Sequence, residues 1–139
     1  MAASPADSLN VALAKWRSAN LQNYSYSVQS GGLIITQCDI GADVRLTVHQ
    51  GKVVSGVYLS ASEGSVGIPA RRAHSAIPKR CLASFLKIDV LFAQLSALAP
   101  KCPGLTVSYH ARLGIPLMSD APCLLDGAFP IRIWDFRPQ

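Results

Sequence analysis

Apolar and polar residues alternate across a tight turn in residues 43–60. Val44, Leu46 and Val48 alternate with Arg45, Thr47 and His49, and Val53, Val57 and Leu59 are expected to continue the same face after the turn. The turn centres on Gln50-Gly51 or on Gly51-Lys52, and both registers leave the same apolar residues together. The pattern predicts an antiparallel hairpin with one face buried and one wet. Upstream, Ser4-Pro5-Ala6-Asp7 has the form of a capping box with Pro at the first helical position. Leu9, Ala12, Leu13 and Trp16 then make one apolar stripe of a helix ending near Asn20. Tyr24, Tyr26 and Val28 alternate with Ser25, Ser27 and Gln29, a strand pattern that Ser30-Gly31-Gly32 interrupts. Leu33 to Ile40 is a second apolar run containing Cys38, and Gly41 ends it.

The second half begins differently. Residues 61–80 carry Gly64, Gly67, Pro69 and Pro78 without a period and read as a long basic loop. Leu82, Phe85, Ile88, Leu91, Phe92, Leu95 and Leu98 form a continuous stripe, predicting a single helix with Asp89 on its polar side. Pro100 and Pro103-Gly104 stop it. Leu105, Val107 and Tyr109 start a strand that turns at Gly114-Ile115-Pro116. A short strand over Leu117–Ser119, a loop through Pro122-Cys123 and a last strand Ile131–Phe136 follow. The expected class is α+β: a single antiparallel sheet of about five to seven strands with two helices packed on one face, in the order αβββ(β)αβββ. Residues 1–139 form one domain, with residues 1–5 a disordered or expression-derived end. The expected core contains Leu13, Trp16, Leu46, Val48, Val57, Phe92, Leu95 and Val107. No internal repeat is evident.

Composition narrows this further. A chain of 139 residues, half of them apolar and 15% charged, can bury a core without metal support and is unlike a disordered chain. The net charge of +5 permits attraction to nucleic acid, anionic lipid or an acidic protein, provided the charge is clustered. Cys38, Cys81, Cys102 and Cys123 are isolated, with neither zinc-site nor redox-motif spacing. They fit two structural disulfides in an exported protein; the alternative is four buried thiols in a cytosolic domain. A Cys81–Cys102 bridge is disfavoured because a helix separates them at about 1.5 Å per residue, and Cys38–Cys81 with Cys102–Cys123 is the expected pairing. The N-terminus lacks the basic and apolar regions of a signal peptide and reads as a mature end with an added start Met, its export signal removed. No apolar run approaches the length of a membrane span.

Candidate chemistry is sparse. Ser84-Phe85-Leu86-Lys87 matches the S-x-x-K of penicillin-binding enzymes, but the companion S-D-N and K-T-G elements are absent, so a chance match is expected. His49 and His110 fall on outward strand faces and His74 in the basic loop. No two histidines share a helical spacing and no carboxylates pair, so neither a metal nor a cofactor is expected. Asn23-Tyr24-Ser25 is formally a sequon and is read as the helix-to-strand entry. The strongest candidate is the loop itself. Arg71, Arg72, Lys79 and Arg80, with His74, can dock an anionic lipid, an acidic polymer or a partner protein; the alternative is a solvated loop with no ligand. It lacks interleaved aromatics, so no nucleic-acid partner is expected.

Trp16, Asn23-Tyr24-Ser25-Tyr26, Cys38, Gly51-Lys52-Val53, Leu91-Phe92, Val107-x-Tyr109 and Gly114-x-Pro116 occur in an order that resembles a family of small bacterial exported proteins and lipoproteins known only as a domain of unknown function. The resemblance runs from about residue 9 to 136. It departs from the family where a second cysteine near Cys38 and an aromatic at Ile115 are often found. It implies export and an α+β fold, and hands over no catalytic residue, cofactor or site.

Two functions are carried forward. The first is a non-catalytic envelope or secreted binding module for a protein or an anionic envelope component, with an inhibitor or immunity protein as one form. The second is a small hydrolase or transferase whose site is assembled from separate strands. A deep pocket with convergent polar groups would favour the enzyme, and a convex loop or flat sheet face would favour binding.

Overall fold

The computed structural model of the protein describes residues 4–30, 38–39, 41–64, 66–85, 87–123 and 131–139. The predicted run Leu33–Ile40 lies mostly outside them. The first helix, α1 (Pro5–Ala19), starts as the capping box requires: Ser4 Oγ accepts from the Asp7 backbone N–H at 3.2 Å, with Pro5 at the first position. It ends at Asn20 in the left-handed conformation, and Leu9, Ala12 and Trp16 are buried.

Six strands follow the predicted class. They are β1 (Tyr24–Ser30), β2 (Val44–His49), β3 (Lys52–Tyr58), β4 (Thr106–Tyr109), β5 (Pro116–Asp120) and β6 (Ile131–Pro138). They form one antiparallel sheet in the order β3-β2-β1-β6-β5-β4, so the two halves of the chain join where β1 pairs with β6. The β2–β3 turn centres on Gln50-Gly51. Both residues have positive φ, as a two-residue turn matched to sheet twist demands.

The predicted single helix over 82–98 is two. After α2 (Lys79–Leu82) the backbone tightens into i+3 bonds, Ser84 N–H to Cys81 and Phe85 N–H to Leu82. Lys87 is then extended, and α3 (Ile88–Leu98) begins with Asp89 in its first turn. The apolar stripe persists through the break, with Leu82, Phe85, Ile88, Leu91, Phe92 and Leu95 all buried, so the sequence pattern does not reveal it.

The helices cover the face bearing Tyr24, Tyr26, Val28, Val44, Leu46 and Val48, all at most 1% exposed. Trp16 packs edge-on against Tyr24 at 5.3 Å and Phe136 at 6.1 Å. Its indole N–H donates to Asp89 Oδ1 at 2.8 Å, tying α1 to α3. Gly114, at φ 74°, lies so close to α1 that a Cβ there would sit 2.1 Å from the Ala12 carbonyl oxygen. Trp16, Leu46, Val48, Phe92 and Leu95 are buried as expected, and Leu13 and Val107 pack partly buried against them.

Val57 is a correction. An extra residue in β3 shifts the register between Thr47–Ser55 and Val48–Val53, and the bulge turns Val57 to the opposite face, paired with Arg45. Tyr58 takes the inward place instead.

Both expected disulfides are present, Cys38–Cys81 and Cys102–Cys123. Their separations of 43 and 21 residues correspond to about 4 and about 3 kcal/mol of denatured-state restriction in the chain-entropy account. Among the described residues no helix is long and apolar enough to cross a membrane.

Candidate binding surfaces

Residues 61–80 are pinned along the edge of β3. Ser62 and Arg71 exchange backbone hydrogen bonds at 3.0 and 2.9 Å. Tyr58 donates to Ser75 and accepts from His74, and Ile77 N–H donates to the Gly56 carbonyl. The Ile77 side chain then fills the space over Gly56, where a Cβ would meet it at 2.8 Å. Ile77 thereby joins the core from a segment with no period of its own.

Arg71 acts as a clamp in this arrangement. Its guanidinium pairs with Asp39, donates from Nε to the Ser60 carbonyl at 3.2 Å, and stacks 4.3 Å from the Tyr58 ring centre. Tyr58 in turn donates its hydroxyl to the Cys38 carbonyl at 2.9 Å. Burial pushes the Tyr58 phenol above its ordinary value, and the Arg71 charge opposes that rise. With Cys38 bonded to Cys81, the C-terminal end of the segment is fixed as well. Arg72 and His74 remain exposed along this edge, while Lys79 and Arg80, expected in the loop, are exposed in the first turn of α2 and Arg71 is largely covered.

The other surface is the sheet face opposite the helices, where Gln29, Ser55, Ser108, Met118 and Arg132 are exposed. Arg45 on β2 reaches across β1. It donates to Ser25 Oγ at 2.7 Å, to Ser27 Oγ at 3.1 Å, and to the Asp135 carboxylate and carbonyl at 3.1 and 3.0 Å. Ser25 and Ser27 are buried polar residues because this side chain lies over them. Arg137 donates to the other Asp135 oxygen at 3.0 Å, so one carboxylate serves two arginines. Asp135 has φ 52° and occupies the β6 bulge, which sends Trp134 to this face and Phe136 to the covered one.

Beside this network, Arg132 lies 4.3 Å over the Trp134 ring, and among the described residues no acceptor or carboxylate meets it. Arg132 pairs across the strands with exposed Met118 and with Gln29. Ser108, Leu117, Met118, Arg132 and Trp134 line a shallow cleft of about 460 Å³. A larger apolar groove between α1 and the 111–113 turn has Lys15 and Arg112 as its charged residues.

The remaining sequence candidates are dispersed. Ser84 is exposed between α2 and α3, while Lys87 Nζ donates to the Gly51 carbonyl at 3.1 Å. His49 is exposed at the end of β2. His110 accepts at Nδ1 from the backbone of Arg112 and Leu113, closing the β4–β5 turn. Asn23 caps the hairpin by accepting from Gln50 N–H at 2.9 Å. Among the described residues no group of three metal-ligating side chains converges.

Sequence reasoning missed the Arg132–Trp134 pair. The signal was present in the alternation Ile131-Arg132-Ile133-Trp134, which places the two polar-tipped residues on one outward face.

No curated protein and no solved structure matches this chain. A family model does match, over residues 8–119, and the chain belongs to that family, a family of unknown function (DUF6174).

Proposed function

We propose that the protein is a non-catalytic binding module, exported by a bacterial cell to its envelope or beyond, that recognises a protein or an anionic envelope component. An inhibitor or immunity protein that occludes a partner enzyme is one form of that role, and a lipid-anchored form fits it equally. The observation that carries the reading is the display of Arg72 and His74 on an edge pinned by backbone pairing and the Arg71 clamp, with Lys79 and Arg80 beside it in α2, next to the Cys38–Cys81 bond. Charges held in place in the free protein lose little order on binding, so their attraction goes into affinity and steering. The two disulfides support export. The open sheet face and the shallow clefts support binding over catalysis, since neither cleft gathers a histidine or a carboxylate.

The test uses Arg72→Glu with Arg80→Glu, leaving the Arg71 clamp intact. Partners captured from bacterial envelope extract on the wild type should bind the double variant more weakly. The loss should lie in association more than in release. Binding should also weaken with salt, since exposed charges are screened over about 8–10 Å at physiological ionic strength. The melting temperature should hardly move, because exposed charges contribute little to folding. A partner indifferent to both salt and charge reversal would remove the loop edge from the site.

A further inference from the structure

The open sheet face carries a second feature that the loop does not explain. Arg132 is held by stacking on Trp134, which orients the guanidinium without using its N–H donors. On the same face Arg45 and Arg137 share Asp135, and Asp120, exposed at the end of β5, stands on Met118's side of the strand. The surrounding surface is apolar: Met118 is 53% exposed and Leu117 and Trp134 line the same cleft. Tryptophan, arginine and methionine are the residues enriched at the energetic centres of protein interfaces, and no lysine lines the cleft. The cleft is concave, so a projecting side chain fills it, whereas a flat bilayer spans it.

Resting on the binding-module reading, we propose that this cleft is the docking site for an acidic segment of a partner protein. A carboxylate takes the free edge of Arg132 in a two-point contact, and an adjoining apolar side chain lies against Trp134 and Met118. The Arg132 guanidinium, stacked on Trp134 and without a carboxylate partner among the described residues, supplies the complementarity.

The probe is a soluble copolymer of glutamate and tyrosine, with polyglutamate and phosphatidylglycerol vesicles as comparisons. Indole N–H resonances report the result. Trp134 stands in the cleft, and Trp16, bonded to Asp89 in the core, is the internal control. The copolymer should shift Trp134 and leave Trp16 in place, and should bind more tightly than polyglutamate. Arg132→Gln should weaken it about tenfold. Arg132→Lys should fail nearly as badly, because an ammonium neither stacks nor forks. Both variants should melt as the wild type does.

Binding that survives Arg132→Gln and vanishes in Arg72→Glu/Arg80→Glu would place recognition on the loop edge, ending this inference and sparing the module. Vesicles that shift Trp134 where the copolymer does not would replace the protein partner by lipid. If none of the three probes shifts any resonance, the inference and the reading it rests on fall together.

Discussion

Trp16 and Trp134 stand on opposite faces of one sheet, and their surroundings differ in kind. Trp16 is 4% exposed, meets Tyr24 and Phe136 edge-on, and donates its N–H to a carboxylate on another helix. Trp134 is half-buried, and its ring supports the Arg132 guanidinium beside an open cleft. The first indole is satisfied by its own chain from several directions. The second holds a cation ready and gives it nothing to pair with. The same residue type thus serves cohesion on one face and display on the other.

Alanine substitution should separate the two most strongly. Trp16→Ala should cost about 3–5 kcal/mol, the range for removing a large buried aromatic. Phe92→Ala, equally deep under the helices, should fall in the same range. Trp134→Ala should cost about 1 kcal/mol, as for a partly exposed side chain. Denaturant unfolding of the three variants measures this. Equal losses at Trp16 and Trp134 would mean the open face is sealed in solution, and the display argument would fail.

A pH experiment reads the covered face alone, because all four tyrosines, Tyr24, Tyr26, Tyr58 and Tyr109, point into it. Burial raises each phenol above its ordinary value. Tyr109 is pushed up to about 12, and Tyr24 and Tyr26 rise further, with the Asp89 charge adding to burial. The unfolded chain therefore releases these protons first, from about pH 10. Stability is intact below that value and falls as pH climbs toward the folded values, by about 1.4 kcal/mol per pH unit for fully buried Tyr26. Denaturant midpoints should drop steadily above about pH 10, together with a late rise of tyrosinate absorbance. Tyrosinate absorbance that rises near the ordinary value while the fold persists would show the covered face to be open to water.

The difference between the faces was legible in sequence wherever one strand obeyed its own period. Tyr24 to Gln29 and Val44 to His49 alternate without interruption, so which side chains share a face followed from residue order, although Arg45 also buries Ser25 and Ser27. The capping box was likewise local, and the disulfide pairing, though long-range, was constrained by the helix that separates Cys81 from Cys102. The misread helix breaks under an unbroken apolar stripe, and the misread strand position falls where a single extra residue reverses the parity. The β3 bulge turned Val57 outward, and the β6 bulge sent Trp134 and Phe136, two residues apart, to opposite faces. Bulges of this kind depend on sheet twist and cross-strand partners, which no window of sequence contains. The Arg71–Asp39 clamp spans 32 residues and is invisible for the same reason. Of the candidate surfaces, the loop cations were readable as a cluster, but their pinned edge and the Arg132 cleft emerge only from pairing.

The smallest expected effect tests the β6 bulge itself. Asp135 does two things: it adopts the left-handed backbone at φ 52°, and it bridges Arg45 and Arg137. Asn tolerates that backbone and keeps a hydrogen-bonding side chain, so Asp135→Asn removes mainly the charge. The pair is partly solvent-exposed, and the loss should be below about 1 kcal/mol. Asp135→Ala loses the charge and must also hold a Cβ in the left-handed region, which costs about 1–2 kcal/mol more. Asp135→Gly relieves that strain and should fall between them. Removing the carboxylate also raises the positive charge of the open face, so Asp135→Asn should bind the glutamate–tyrosine copolymer more tightly while folding almost as well. Should all three variants be equally stable, the bulge is not held by Asp135, and the division of Trp134 from Phe136 must come from the packing of Phe136 against Trp16 and Tyr24.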